Sequence, residues 1–107
     1  MSNKEIVITS AFRTAIGSFG GGLSSKTAPE LGAEVIKKCL EHSEVKGNEV
    51  DTVFMGQVLQ AGTKQNPARQ AAIAAGIPYE TISCTVNQLC ASGLTSVSYG
   101  YNSILLG

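Results

Sequence analysis

Val86-Asn87-Gln88-Leu89-Cys90-Ala91-Ser92-Gly93 is the point where one periodicity stops and another begins. Upstream, Thr81-Ile82-Ser83-Cys84-Thr85-Val86 alternates polar and apolar residues and is rich in β-branched side chains, the pattern of a short strand. Downstream, Leu94, Val97, Tyr101, Ile104 and Leu105 recur at helical spacing. Cys90 therefore falls at or next to a helix N-terminus. The unpaired N–H groups and positive dipole end at such a place favour a thiolate, the nucleophilic form of cysteine. The expectation is a reactive sulfur on a strand-to-helix turn. Ser92 and Gly93 let the helix start tightly beneath it, and Asn87 braces the turn.

Working outward from this junction, the chain reads strand, helix, strand, helix, strand, helix. Ile6-Val7-Ile8 begins the first strand, and a glycine-rich loop, Gly17-Ser18-Phe19-Gly20-Gly21-Gly22, follows. Pro29 suits the first turn of a helix that runs to about residue 42. Lys46-Gly47-Asn48 forms a turn, and residues 50–58 contain a second strand centred on Val53-Phe54-Met55. Asn66-Pro67 is a helix start, with Asn as N-cap and Pro at the first helical position. The alanine-rich helix over 68–75 ends at Gly76, with Pro78 beyond it. Its alanines predict close packing against a neighbour. Alternation of this kind specifies an α/β fold: a parallel sheet in a three-layer α/β/α arrangement with right-handed crossovers. Cys90 is then expected near the carboxyl end of the third strand, where ligand sites of open parallel sheets collect. The glycine-rich loop and Gln65-Asn66 are expected on the same edge.

The 107 residues allow one small domain, taken here as residues 1–107. An apolar content of 43% against 15% charged residues predicts a buried core rather than disorder. Eight basic and eight acidic residues cancel, with no basic patch, so nucleic acid is not an expected partner. The apolar runs are too short to span a membrane, and the N-terminus carries no signal-peptide pattern. The expected location is the cytoplasm. Three cysteines, an odd number, imply reduced thiols. Without a CxxC pair or a Cys/His cluster, no metal site is expected. Cys39 shares a helical face with Leu31, Val35, Ile36 and Leu40, and Cys84 lies inside the third strand. Both read as small core residues.

Three separated blocks resemble the N-terminal part of the thiolase family, of the acetyl-CoA acetyltransferase type. Arg13-Thr14-Ala15-Ile16-Gly17-Ser18-Phe19-Gly20-Gly21 is similar to the family's opening segment. Gly56-Gln57-Val58-Leu59-Gln60-Ala61-Gly62-Thr63-Lys64-Gln65-Asn66-Pro67-Ala68-Arg69-Gln70-Ala71-Ala72 resembles its Gly-Gln-Asn-Pro-Ala-Arg block. Val86-Asn87-Gln88-Leu89-Cys90-Ala91-Ser92-Gly93-Leu94 resembles the Asn-x-x-Cys-x-Ser-Gly block around the acyl-accepting cysteine. The likeness covers essentially the whole chain. Ala15 stands in place of a proline, Ala91 in place of a common glycine, and Lys64 in place of a glycine whose position suits a positive φ.

The resemblance implies that Cys90 is the catalytic nucleophile. It would attack an acyl-CoA thioester and carry the acyl group, and its backbone N–H would be one donor of an oxyanion hole. The family's second half supplies a histidine, a second cysteine and most of the grip on coenzyme A. It implies a Claisen condensation of two acetyl-CoA molecules to acetoacetyl-CoA, or the reverse thiolysis, with coenzyme A thioesters as substrates and no separate cofactor. It implies a homo-oligomer, and it assigns no cofactor-binding residue within this chain. His42, near the end of the first helix, reads as a cation complementing the helix dipole rather than as a base. The chain alone is therefore expected to be inactive and poorly soluble. A truncated or split chain that needs a partner half is the alternative. A remoter one is a nucleotide cradle, since Gly20-Gly21-Gly22-Leu23-Ser24-Ser25-Lys26-Thr27 nearly fits a P-loop. There Ser25 takes the second glycine position and Pro29 follows at once, which favours a surface loop.

Overall fold

A computed structural model describes residues 3–107. Helix α1 (Ala28–Ser43) begins where Thr27 holds an extended backbone. The Thr27 hydroxyl accepts from the Glu30 N–H at 3.3 Å, and the Glu30 carboxylate accepts from the Thr27 N–H at 2.7 Å. This reciprocal capping box, with Pro29 inside the first turn, satisfies two donors that the helix itself cannot. The helix ends at Glu44, which turns left-handed at φ 54°. A single 3₁₀ turn, Gly47–Glu49, leads into strand β1 (Thr52–Gly56). Helix α2 (Pro67–Ala74), strand β2 (Ile82–Val86) and helix α3 (Ser92–Leu106) complete the order.

The two strands pair in parallel, with Thr52 beside Ile82 and Gly56 beside Val86. Side chains alternate between the sheet's faces. Val53 and Met55 point to one face, where they meet Ala72 and Ile77 together with Ile36 and Leu40 of α1. Phe54 points to the other, where its ring meets Tyr99 of α3 edge-on at 5.9 Å. The layers are therefore α1 and α2, then the sheet, then α3, the expected α/β arrangement in incomplete form. The alanines of α2 do what their size allows. Ala68, Ala71 and Ala72 are buried. A Cβ on Gly32 of α1 would lie 3.2 Å from the Ala71 methyl, so α1 and α2 approach closely. Val53 and Ile77 are the largest side chains of the buried cluster, each contributing roughly 1.5–3 kcal/mol.

Two expectations are corrected. Ile6-Val7-Ile8 is not a strand, and among the described residues the sheet has two strands rather than three. A strand needs an edge to pair with, and this segment is tied instead to helix ends. The Lys4 ammonium donates to the Ile104 carbonyl at 3.1 Å. The Ser43 hydroxyl donates to the Thr9 hydroxyl, and the Phe12 ring packs edge-on against His42. Val7 and Ile8 stay exposed. Cys84 is exposed, not buried. It pairs with Phe54 and so lies on the α3 face, but α3 packs mainly over β1 and leaves that part of β2 uncovered. On α3 the buried residues are Ser92 and Ser96, while Leu94, Val97, Tyr101 and Ile104 are half or more exposed. The apolar stripe is not the face that meets the sheet. Residues 19–26 form a run of turns with no strand before them, unlike a nucleotide-binding P-loop.

The capping box makes α1 sensitive to acid. The Thr27 N–H, then the Thr27 hydroxyl and the nearby Lys26 charge, hold the Glu30 carboxyl below the ordinary glutamate value. A folded-state value lowered in this way stabilises fully above the unfolded value and is lost as pH falls through the folded one. Glu30→Gln is expected to flatten that acid-side part of the unfolding curve, followed by helical circular dichroism. An unchanged profile would remove the box from the account of α1.

Candidate active site

Cys90 lies four residues past the end of β2 and two before the start of α3, with its thiol exposed. The junction is therefore at the carboxyl end of the parallel sheet, as expected. The turn that carries it is braced from three directions. The Asn87 side chain donates to the Val58 carbonyl at 3.1 Å and accepts from the Leu89 N–H at 3.1 Å. The Ser92 hydroxyl accepts from the Gln88 N–H at 2.8 Å and donates to the Leu89 carbonyl at 2.6 Å. The Thr95 hydroxyl donates to the Gln88 side-chain carbonyl. Leu89, just before the cysteine, has φ 50°. A left-handed backbone costs a residue with a Cβ roughly 1–2 kcal/mol and persists only where surrounding bonds enforce it.

The helix beneath the cysteine reaches the sheet through a glycine. A Cβ on Gly56 would lie 2.6 Å from the Ser92 carbonyl carbon and 2.8 Å from the Gly93 nitrogen. Only a residue without a side chain at the end of β1 lets the first turn of α3 sit there. The same edge of the sheet gathers the starts of all three helices. Gly56, Gln57, Pro29, Pro67 and Gly93 line a half-open, mostly apolar cavity of about 580 Å³. Cys90 is outside its lining, so the structure does not bring the thiol into that cavity.

The Asn66 region turns out to be structural. The Asn66 side-chain oxygen Oδ1 accepts from the Arg69 N–H at 3.2 Å and from the Thr85 hydroxyl at 2.7 Å, and its side-chain amide donates to the Ser83 carbonyl. The Thr85 hydroxyl in turn accepts from the Ala68 N–H. The Arg69 guanidinium donates to the carbonyls of Tyr79 and Thr81, and the Gln70 amide to those of Thr63 and Gln65. These bonds fasten the start of α2 to β2. Lys64 has φ 64°, the conformation its glycine-like position implied. Cys39 is half-buried, and the His42 ring is occupied by Phe12. Among the described residues no three of His, Cys, Asp and Glu gather as metal ligands, and no helix is long and apolar enough to cross a membrane.

Sequence reading missed Ser92 as a brace, the Thr27–Glu30 box and the Gly56 contact. The box was visible as a Thr-x-x-Glu pattern ahead of an apolar helix. The Ser92 bonds run backward along the chain, for which sequence carries no standard signal. The Gly56 contact joins residues far apart in sequence and leaves only an unexplained strand glycine as its trace.

Comparison with known proteins agrees with this geometry. A family model described as the thiolase N-terminal domain matches residues 6–107. The acetyl-CoA acetyltransferase of Cupriavidus necator is 54% identical over 96% of this chain and 26% of its own length. That of Rhizobium meliloti is 54% identical over 100% of the chain and 27% of its own length. The Schizosaccharomyces pombe acetyl-CoA acetyltransferase is 47% identical over the same shares. Among solved structures, the Acat5 thiolase of Ascaris suum in complex with coenzyme A superposes with a TM-score of 0.87 at 36% identity. That match covers 89% of this chain and 25% of the neighbour. The chain thus spans about a quarter of the length of these relatives. Over that span it belongs to the thiolase family, as a thiolase N-terminal domain.

Proposed function

We propose that this chain carries the acyl-accepting cysteine of a thiolase-type acyltransferase. The Cys90 sulfur attacks the carbonyl carbon of an acyl-CoA thioester. A new S–C bond forms, the bond to the coenzyme A sulfur breaks, and coenzyme A leaves as its thiol with the proton given up by Cys90. The Cys90 backbone N–H is one donor to the oxyanion formed on the way. Acetyl-CoA and acetoacetyl-CoA are the proposed substrates, in the direction of condensation or of thiolysis. The family's second half supplies the histidine that activates Cys90 and the second cysteine that handles the α-proton. The assembly is proposed as a homo-oligomer in the cytoplasm.

The observation that carries this reading is the placement of Cys90. It is an exposed thiol on a braced turn between the carboxyl end of a parallel strand and the start of a helix. It also lies within the region matched by the thiolase N-terminal domain. Further support comes from relatives named acetyl-CoA acetyltransferases and from a neighbour solved with coenzyme A.

Incubation of residues 1–107 with acetyl-CoA, read by peptide mass spectrometry, is expected to acetylate Cys90 ahead of Cys39 and Cys84. Acetoacetyl-CoA cleavage by the same chain is expected to stay at background, because proton-transfer groups worth ~10²–10⁴-fold in rate belong to the second half. Faster acylation of Cys84 would remove Cys90 as the acceptor. Cys90-dependent turnover at a normal enzymatic rate would remove the need for a second half.

A further inference from the structure

The turn before Cys90 holds a conformation its own residues disfavour, and bonds from Asn87 and Ser92 hold it there, one of them from a buried hydroxyl. Leu89 is left-handed at φ 50°, yet its side chain is 69% exposed and is not anchored by packing. Each of its two backbone polar groups bonds to a side chain, and its carbonyl also accepts from the Ser92 backbone N–H at 3.0 Å. The N–H goes to the Asn87 carbonyl oxygen at 3.1 Å and the carbonyl to the Ser92 hydroxyl at 2.6 Å. Ser92 is only 4% exposed, so water cannot readily replace its hydroxyl.

The direction of the Ser92 bonds separates this role from ordinary helix capping. A capping serine precedes the first turn and accepts from N–H groups ahead of it. Ser92 instead reaches back, accepting from Gln88 and donating to Leu89. The residue at the cap, Ala91, makes no side-chain cap bond. The other serines of α3 behave differently. Ser96, Ser98 and Ser103 each donate to the carbonyl four residues earlier in the helix, the usual back-bond.

We infer that Ser92 is a positioning residue for Cys90: its hydroxyl clamps Leu89 in the left-handed conformation and so fixes the thiol over the start of α3. The functional weight of this role rests on Cys90 being the acyl acceptor. The clamp itself does not, and the two are tested by different chemistry.

The test uses the full chain with iodoacetamide at neutral pH, reading the ratio of Cys90 to Cys84 labelling by peptide mass spectrometry. Both thiols are exposed, so the ratio cancels a general loosening of the fold. Ser92→Ala is expected to lower it about fivefold, the scale of one lost helix-end interaction. Ser96→Ala removes a similarly buried hydroxyl that serves only the helix, and is expected to leave the ratio unchanged. The decisive variant combines Ser92→Ala with Leu89→Asn. Asparagine accepts the left-handed conformation far more readily than leucine, so the ratio is expected to recover toward the parent value. An unchanged ratio in Ser92→Ala, an equal fall in Ser96→Ala, or no recovery in the double variant overturns the inference. Should Ser92→Ala fail to fold, the double variant decides alone: a parent-like ratio supports the clamp, and a low ratio or an unfolded chain overturns it. Acetyl transfer from acetyl-CoA to the parent chain is read separately. Its failure removes the acyl-acceptor reading while the alkylation ratio still judges Ser92.

Discussion

A Cβ on Gly56 would lie 2.6 Å from the carbonyl carbon of Ser92, so the end of β1 and the first turn of α3 meet only because residue 56 has no side chain. Much of the site follows from that contact. It seats α3 on the sheet through small residues, with Ser92 and Ser96 buried where leucines would hold the helix away. It brings the Ser92 hydroxyl under the turn it braces. It leaves Cys90 exposed just past the strand end, above the start of the helix. The thiol's place is thus set from below by a glycine and from the side by hydrogen bonds, rather than by packing of its own side chain.

The second fixed point is the start of α2. Asn66, Thr85, Ala68 and Arg69 bond α2 to β2 and to the loop ahead of it. Asn87 reaches across to the Val58 carbonyl, which ties the Cys90 turn to the segment leaving β1. The two blocks most characteristic of the thiolase resemblance therefore have different work. One carries the thiol, and the other holds together the frame on which the thiol sits. Lys64 lies in that frame at φ 64°.

What the sequence made legible was mostly local. Asn66-Pro67 announces a helix because the capping chemistry acts within a few residues. The switch from period two to helical spacing around Cys90 located the junction correctly. What it hid was non-local. Ile6-Val7-Ile8 has strand-like composition, but pairing depends on which edge is free, and here helix ends take the segment instead. The alternation in β2 separates two faces without saying which one a helix covers, so Cys84 reads as a core residue yet is exposed. In α3 the apolar residues Leu94, Val97, Tyr101 and Ile104 stay exposed. Small polar residues were the ones buried, because closeness to β1 mattered more there than hydrophobic area.

The central claim, that an absent side chain at residue 56 sets the site, is tested most directly by urea unfolding of two single alanine variants. A Cβ on Gly93, a few ångströms away in α3, would meet nothing within 4 Å. Alanine also favours a helix over glycine by roughly 0.8–1 kcal/mol. Gly93→Ala is therefore expected to hold or raise stability. Gly56→Ala should cost about 1–3 kcal/mol, the range for forcing extra atoms into a closed contact, and should lower Cys90 labelling relative to Cys84. A Gly56→Ala chain as stable as the parent, with its Cys90 labelling intact, would contradict the account.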